Sequence, residues 1–189
     1  MSKITVFTHL SADGFFAGPN GEIDWFKAIP KDKDYDDFTH DQSSSGNALI
    51  FGRKTYEVMK NYWPTPEAIK TDPKMSEVVN NNTKIVFSKT LTRLDEGPNW
   101  KNLKLFHDID PKEVLKLKNE KDMTILGSGT IVEQFANLGL IDEYELMIVP
   151  IVLGSGKALF KGVKKINLKL LEARAFKNGI VLQRYQPAM

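Results

Sequence analysis

Short apolar runs separated by helical patterns fill the first two-thirds of this sequence, and its last third closes on two longer runs joined by Asn178-Gly179. That order restricts the possible folds more than any other property of the chain. Residues 4–9 alternate as a strand does, 48–51 form a run closed by Gly52, and 84–88 and Leu103–Phe106 read as further strands. Residues 123–126, apolar but for Thr124, read as a strand covered on both faces, and 144–152, apolar but for Glu145 and Pro150, as a long strand. A helical pattern begins at 53–56. Asp110-Pro111-Lys112-Glu113 is a capping box with proline at the first helical position, opening a helix that ends near Asn119. After 127–129 comes a helix in which Ile131, Phe135 and Leu138 share one face and Gly139 is placed to stop it. Residues 166–175 pair with 180–185 through the Asn-Gly dipeptide, the favoured tight hairpin turn. Such an order specifies an α/β domain with a largely parallel sheet and an antiparallel C-terminal edge. Two stretches interrupt it. Residues 63–73 carry three prolines and read as an exposed excursion, whereas 11–21, with three glycines and a proline, read as an irregular loop long enough to serve as a lid.

A length of 189 residues suits one domain spanning 1–189, and 41% hydrophobic with 26% charged residues is the balance of a water-soluble globular chain. Lysine and arginine number 26 against 24 aspartates and glutamates, interleaved throughout. That lacks the basic runs through which nucleic-acid binders neutralise phosphate, so no nucleic-acid partner is expected. The absence of cysteine excludes disulfides and thiolate metal sites. His9, His40 and His107 show no metal-ligand spacing and read as structural or surface residues, so no metal is expected. The amino terminus runs straight into a strand pattern without a signal-peptide core, and no apolar run nears the roughly 20 residues that span a bilayer. The cytoplasm is the expected location.

In open α/β sheets ligands bind beyond the carboxyl ends of the strands, where strand order reverses. Three such junctions share a chemistry. Gly52-Arg53-Lys54-Thr55 puts a glycine and two cations at a helix start, whose free N–H groups attract anions. Ser88-Lys89-Thr90, followed by Arg93, offers two hydroxyls and two cations. Leu126-Gly127-Ser128-Gly129-Thr130-Ile131 approaches the dinucleotide fingerprint, yet Val132 stands at its third glycine position and no acidic ribose partner follows, which argues against a true Rossmann domain. A glycine pair presenting backbone amides to a pyrophosphate remains the reading of that turn. Two carboxylates lie near the expected pocket. Asp13, before Gly14, reads as a turn residue bonded to its own backbone. Asp24 reads either as a helix cap or as a substrate contact, and Trp25 either as a stacking surface for a planar ring or as a core residue.

The ordered set S-A-D-G-F-F-A-G (11–18), I-D-W (23–25), I-F-G-R-K-T-Y-E (50–57), V-F-S-K-T-L (86–91), I-L-G-S-G (125–129) and V-P-I-V-L-G-S-G (149–156) resembles the dihydrofolate-reductase-like superfamily. It is most similar to the branch near the reductase domain of bacterial riboflavin biosynthesis, and the pieces span nearly the whole chain. The resemblance implies a three-layer αβα fold and an NADPH-dependent oxidoreductase. Arg53, Lys54, Ser88 and Lys89 would lie at the 2′-phosphate, with Gly52 beside them. Thr55 and Gly127, Ser128, Gly129, Thr130 and Ile131 would lie at the pyrophosphate, and the loop 11–21 over the nicotinamide. It also implies a homodimer and a small planar substrate, either 5-amino-6-(5-phosphoribosylamino)uracil or a dihydropterin. Asp24 would assist protonation and Trp25 would bind the substrate. True dihydrofolate reductases place Trp and Phe three and four positions after their acidic residue. Here Trp25 and Phe26 follow Asp24 at once, and the zinc-binding deaminase domain often fused to the riboflavin-type reductases has no counterpart. A non-catalytic NADPH- or nucleotide-binding module is the alternative, separable by assaying cofactor oxidation with both substrate classes.

Overall fold

The computed structural model describes residues 2–44 and 46–188. In chain order the elements are β1 (Ile4–Ser11), β2 (Phe15–Ala17), a 3-10 helix (Asp24–Ala28), α1 (Lys33–Ser44), β3 (Ala48–Gly52), α2 (Arg53–Tyr62), α3 (Pro66–Thr71) and α4 (Pro73–Asn81). There follow β4 (Lys84–Phe87), β5 (Leu103–Phe106), α5 (Pro111–Glu120), β6 (Met123–Gly127), α6 (Gly129–Asn137), β7 (Glu143–Val149), β8 (Lys157–Ala158), β9 (Leu168–Ala175) and β10 (Val181–Pro187). Eight strands form one sheet in the order β5-β4-β3-β6-β1-β7-β10-β9. The first six run parallel, and β10 joins β7 and β9 antiparallel, as the terminal hairpin requires.

Helices cover both faces, giving three layers. On one face α5 and α6 bury Val114, Ile131, Val132 and Phe135 against Ile4, Val6, Ile50 and Ile125. The opposite face carries two separate apolar clusters. One gathers Trp25, Met147, Val149, Phe176 and Leu182 beneath Tyr35 and Phe38 of α1. The other gathers Leu49, Phe51, Val86 and Trp100 beneath Tyr56 of α2 and Val79 of α4. They do not merge, because the strands between them present Thr5 on β1 and Thr124 on β6, paired in register on that face. A polar strip between two apolar footings is where a cleft forms.

Several expectations are met with physical reasons on view. Asp110 accepts the Lys112 amide at 2.9 Å, with Pro111 at the helix start. Gly179 sits at φ +87° in the hairpin turn. Other expectations change. The stretch 63–73 is helical rather than an excursion, since Thr65 and Asp72 cap α3 and α4 through the Ala68 and Met75 amides and put a proline at each helix start. β7 stops at Val149, before Pro150, which has no N–H for the ladder. Leu138 lies beyond α6 and is exposed rather than on its buried face. The loop 11–21 contains β2, which pairs antiparallel with β8 through Phe15–Ala158 and Ala17–Lys157. Lys84 is fully buried: its ammonium donates to the carbonyls of Asn80, Asn82 and Lys101 at 2.7–3.0 Å and lies 4.5 Å from the Trp100 ring. It thereby closes the C-terminal end of α4, and burial lowers its pKa to about 8.

Candidate active site

A cleft of 1870 Å³ runs from the carboxyl ends of β3, β4 and β6 across the polar strip to β1 and α1. At one end the starts of α2 and α6 meet. Their capping residues, Gly52 and Ser128, make no side-chain cap bond, so the first N–H groups of both helices lack the partner a cap would supply. The approach is close. A Cβ on Gly52 would lie 2.7 Å from Ser128 Oγ and 3.2 Å from Ile131, and one on Gly127, at φ +131°, would lie 3.0 Å from Thr55 Oγ1. Glycine at both positions thus lets two positive helix-dipole ends converge, a geometry that suits an anion. Arg53, Lys54, Thr55, Ser88, Lys89, Gly129 and Thr130 also line this end. Arg53 is held by Glu57 at 3.1 Å, and Lys89 stays 81% exposed at 3.9 Å from Asp108. The Ser88 hydroxyl oxygen accepts the Thr90 and Leu91 amides at 3.2 and 3.0 Å, which shapes the turn and leaves its O–H to donate. Arg93 turns away to Asp95.

The lid forms the next wall. Phe16 of β2 lies against Gly129, where a Cβ would come within 2.9 Å of its ring, so this glycine admits the lid rather than opening a path to a ligand. Asp13 bonds its own backbone, as its turn position suggests, and also reaches across to the loop after β7, accepting the Leu153 and Gly154 amides at 3.1 and 2.7 Å. The Ser11 hydroxyl and those amides hold its carboxyl below the ordinary aspartate value.

Asp24 and Trp25 are not brought to the cleft. The 3-10 helix begins at Asp24 with Ile23 as its cap, leaving the carboxylate exposed rather than capping. Trp25 turns inward, 8% exposed among Met147, Val149 and Phe176, with its ring centroid 4.2 Å from that of Phe26. One turn of 3-10 helix buries the tryptophan and rotates the acid to solvent, so Ile23 and Phe26 are the members of this segment that face the cleft.

The floor holds groups that the sequence does not single out. Asn47 Nδ2 donates to Thr124 Oγ1 at 3.0 Å, beside Thr5. Glu145 is 5% exposed and bonded to Arg184 at 2.9 Å, and burial keeps its carboxyl above the usual glutamate value against the pull of that guanidinium. His9, expected to be merely structural, lines the cleft with its Nε2 at 2.5 Å from the Tyr35 hydroxyl. Burial lowers its pKa to about 4. Among the described residues no group of three or more His, Cys, Asp or Glu side chains is placed to hold a metal, and no helix is long and apolar enough to cross a membrane.

Residues 2–182 match the family model of the RibD C-terminal domain. The chain belongs to that family. It is 35% identical over 180 residues to the uncharacterized protein YyaP of Bacillus subtilis (strain 168), covering 95% of this chain and 92% of that one. A Shewanella sp. PV-4 protein attributed to riboflavin biosynthesis superposes with a TM-score of 0.80 at 20% identity, covering 99% of each chain. The dihydrofolate reductase of Enterococcus faecalis, in complex with NADP(H), superposes with a TM-score of 0.60 at 13% identity, covering 99% of this chain and 97% of that one. At those identities the two structural likenesses establish the fold, the dihydrofolate-reductase-like three-layer arrangement with its antiparallel C-terminal edge. This chain thus shares with that reductase the fold on which its cleft is built.

Proposed function

We propose that this chain is an NADPH-dependent reductase that acts on a small planar heterocycle, of the 5-amino-6-(5-phosphoribosylamino)uracil reductase type. The observation that carries the reading is the convergence of the two uncapped helix starts, at Gly52 and Ser128, beside Arg53, Lys54 and Lys89. A dinucleotide needs a place for a pyrophosphate next to cations for a 2′-phosphate, and the close approach of the two helix starts that Gly52 and Gly127 permit suits the first. Thr55 and the turn 127–131 would hold the pyrophosphate, with Arg53, Lys54, Ser88 and Lys89 at the 2′-phosphate. Bound there, the cofactor supplies a hydride from its nicotinamide. The chain's own residues orient the substrate and exclude water. Phe16 and Ala17 close the lid side, and Thr5, Asn47 and Thr124 offer hydroxyls and an amide to the N–H and C=O edge of a ring. Lys157 on β8 is a further cation at the cleft and suits the phosphate of a ribosyl substrate. A dihydropterin would use the same floor and leave Lys157 without a role.

The protein works in this reading as a cytoplasmic homodimer through the outermost strand β9, where Leu168, Leu170 and Leu171 are exposed at the sheet edge. The deciding assay is loss of NADPH absorbance with the phosphoribosylaminopyrimidine and, separately, with dihydropterin. Stoichiometric oxidation by the aminopyrimidine is expected. Tight NADPH binding with no oxidation by either would mark a non-catalytic nucleotide-binding module.

A further inference from the structure

Reducing a C=N bond takes a hydride at carbon and a proton at nitrogen, and Asp24 faces solvent away from the cleft. The structure offers another donor. His9 lies on β1 on the same face as Thr5 and Phe7, and the β1–β6 register pairs Val6 with Ile125. Beyond that pair the two strands part, and His9 and Ser128 both line the cleft in which the cofactor is placed by the reading above. The His9 ring is bonded to Tyr35 and packed by Phe7 and Phe26, with centroids at 5.7 and 5.1 Å. The other two histidines have local partners, Asp72 for His40 and the Ser88 carbonyl for His107. His9 and Tyr35 are set together beside Phe7 and Phe26 in the cleft. Both also line a second pocket of 240 Å³, with Phe26, Ile29 and the exposed Pro30, Lys31 and Asp36. The pair therefore borders both the cleft and a recess with an exposed rim.

We propose that Tyr35 and His9 form a proton relay from that recess to the substrate nitrogen, an inference that rests on the reductase reading. The imidazole is neutral, carries its proton on Nδ1 and accepts the Tyr35 O–H at Nε2. As the carbon takes hydride, the substrate nitrogen takes the Nδ1 proton, Tyr35 passes its proton to Nε2, and water in the small pocket returns one to the tyrosine oxygen. Charge is conserved along the relay: one proton leaves solvent, one reaches the product, and both side chains stay neutral. Once product leaves, water in the open cleft reprotonates Nδ1, and the Nε2 proton returns through Tyr35 to the small pocket.

Tyr35→Phe keeps the ring that packs on Phe176 and removes only the hydroxyl. The relay predicts that Tyr35→Phe and His9→Gln each lower kcat about 100-fold, the low end for losing a general acid, with KM and the NADPH dissociation constant within twofold. The double variant should lose no more than either single one, because residues acting as a unit are not additive. Losses that multiply, or a Tyr35→Phe enzyme of normal kcat, would overturn the relay. Nitrogen NMR of the protein without cofactor or substrate provides a second readout. A neutral ring protonated at Nδ1, redistributed in Tyr35→Phe, supports the relay, and a ring protonated at Nε2 overturns it. Failure to bind NADPH would instead sink the reductase reading, so the two failures are distinguishable.

Discussion

Through His9, acid should destabilise this protein in a pH window above the one in which the carboxylates held below their ordinary values respond. His9 has an ordinary value of 6.5 and a folded value of about 4, because the aromatic wall and the sheet desolvate its charged form. The sign follows from proton counting. Above 6.5 both states leave the ring neutral and folding gains nothing from pH. Between 6.5 and 4 the unfolded chain takes up a proton that the folded chain refuses, so stability falls as pH falls. A depression of about 2.5 units corresponds to roughly 3 kcal/mol, an upper figure because the ring is only half-buried and keeps some contact with water. Asp13, Asp32, Asp37 and Asp95 are all held below their ordinary value of 3.8, so their contributions fade in a lower window, below that value. Urea unfolding at neutral pH, pH 5.5 and pH 4.5, on the wild type and on His9→Gln, isolates the effect, since glutamine can still bond Tyr35 and does not titrate. The wild type should lose up to about 2 kcal/mol more than the variant across that range. Parallel stability profiles for the two proteins would refute the assignment of a desolvated, neutral His9.

Three further outcomes follow from named contacts. Replacing both Arg53 and Lys54 by glutamine should weaken NADPH binding about 10- to 150-fold, the worth of a charged hydrogen bond of 1.5–3 kcal/mol, and leave NADH binding nearly unchanged in a fluorescence titration. Gly52→Ala introduces a Cβ 2.7 Å from Ser128 Oγ at a φ of −82° that alanine accepts, so it should move the two helix starts apart. A more than tenfold rise in the NADPH dissociation constant is expected with a melting shift of only a few degrees. Lys84→Met should lower stability by about 1–3 kcal/mol in chemical denaturation, because the Asn80, Asn82 and Lys101 carbonyls lose their shared donor inside the core.

The sheet was legible because its strands are short apolar runs closed by glycine, proline or hydroxyl residues, and the anion-binding end was legible because glycines and cations cluster at three of those closures. What stayed hidden depends on contacts distant in sequence. β2 and β8 are three and two residues long in glycine-rich stretches, and only their mutual pairing makes them strands. The prolines of 63–73 break a chain unless a capping side chain precedes them, and Thr65 and Asp72 turn them into helix starts. Which alternative holds for Asp24 and Trp25 is settled by a single 3-10 turn, which buries Trp25 in the core and leaves Asp24 exposed. His9 follows the alternation of β1, yet nothing local says that its face of the sheet is the one left open between two apolar clusters. Lys84 reads as a polar strand end until α4 and Trp100 close over it.

The ligand at the paired helix starts decides between a reductase and any other use of this cleft. Titrating the purified protein with NADPH, NADH and adenosine 2′,5′-bisphosphate, following quenching of tryptophan fluorescence, measures it. NADPH should bind at least about tenfold more tightly than NADH, as one charged hydrogen bond to the 2′-phosphate requires, and more tightly than the bisphosphate. Equal dissociation constants for NADPH and NADH would contradict the assignment of Arg53, Lys54 and Lys89 to the 2′-phosphate. Binding of neither dinucleotide would contradict the central claim itself.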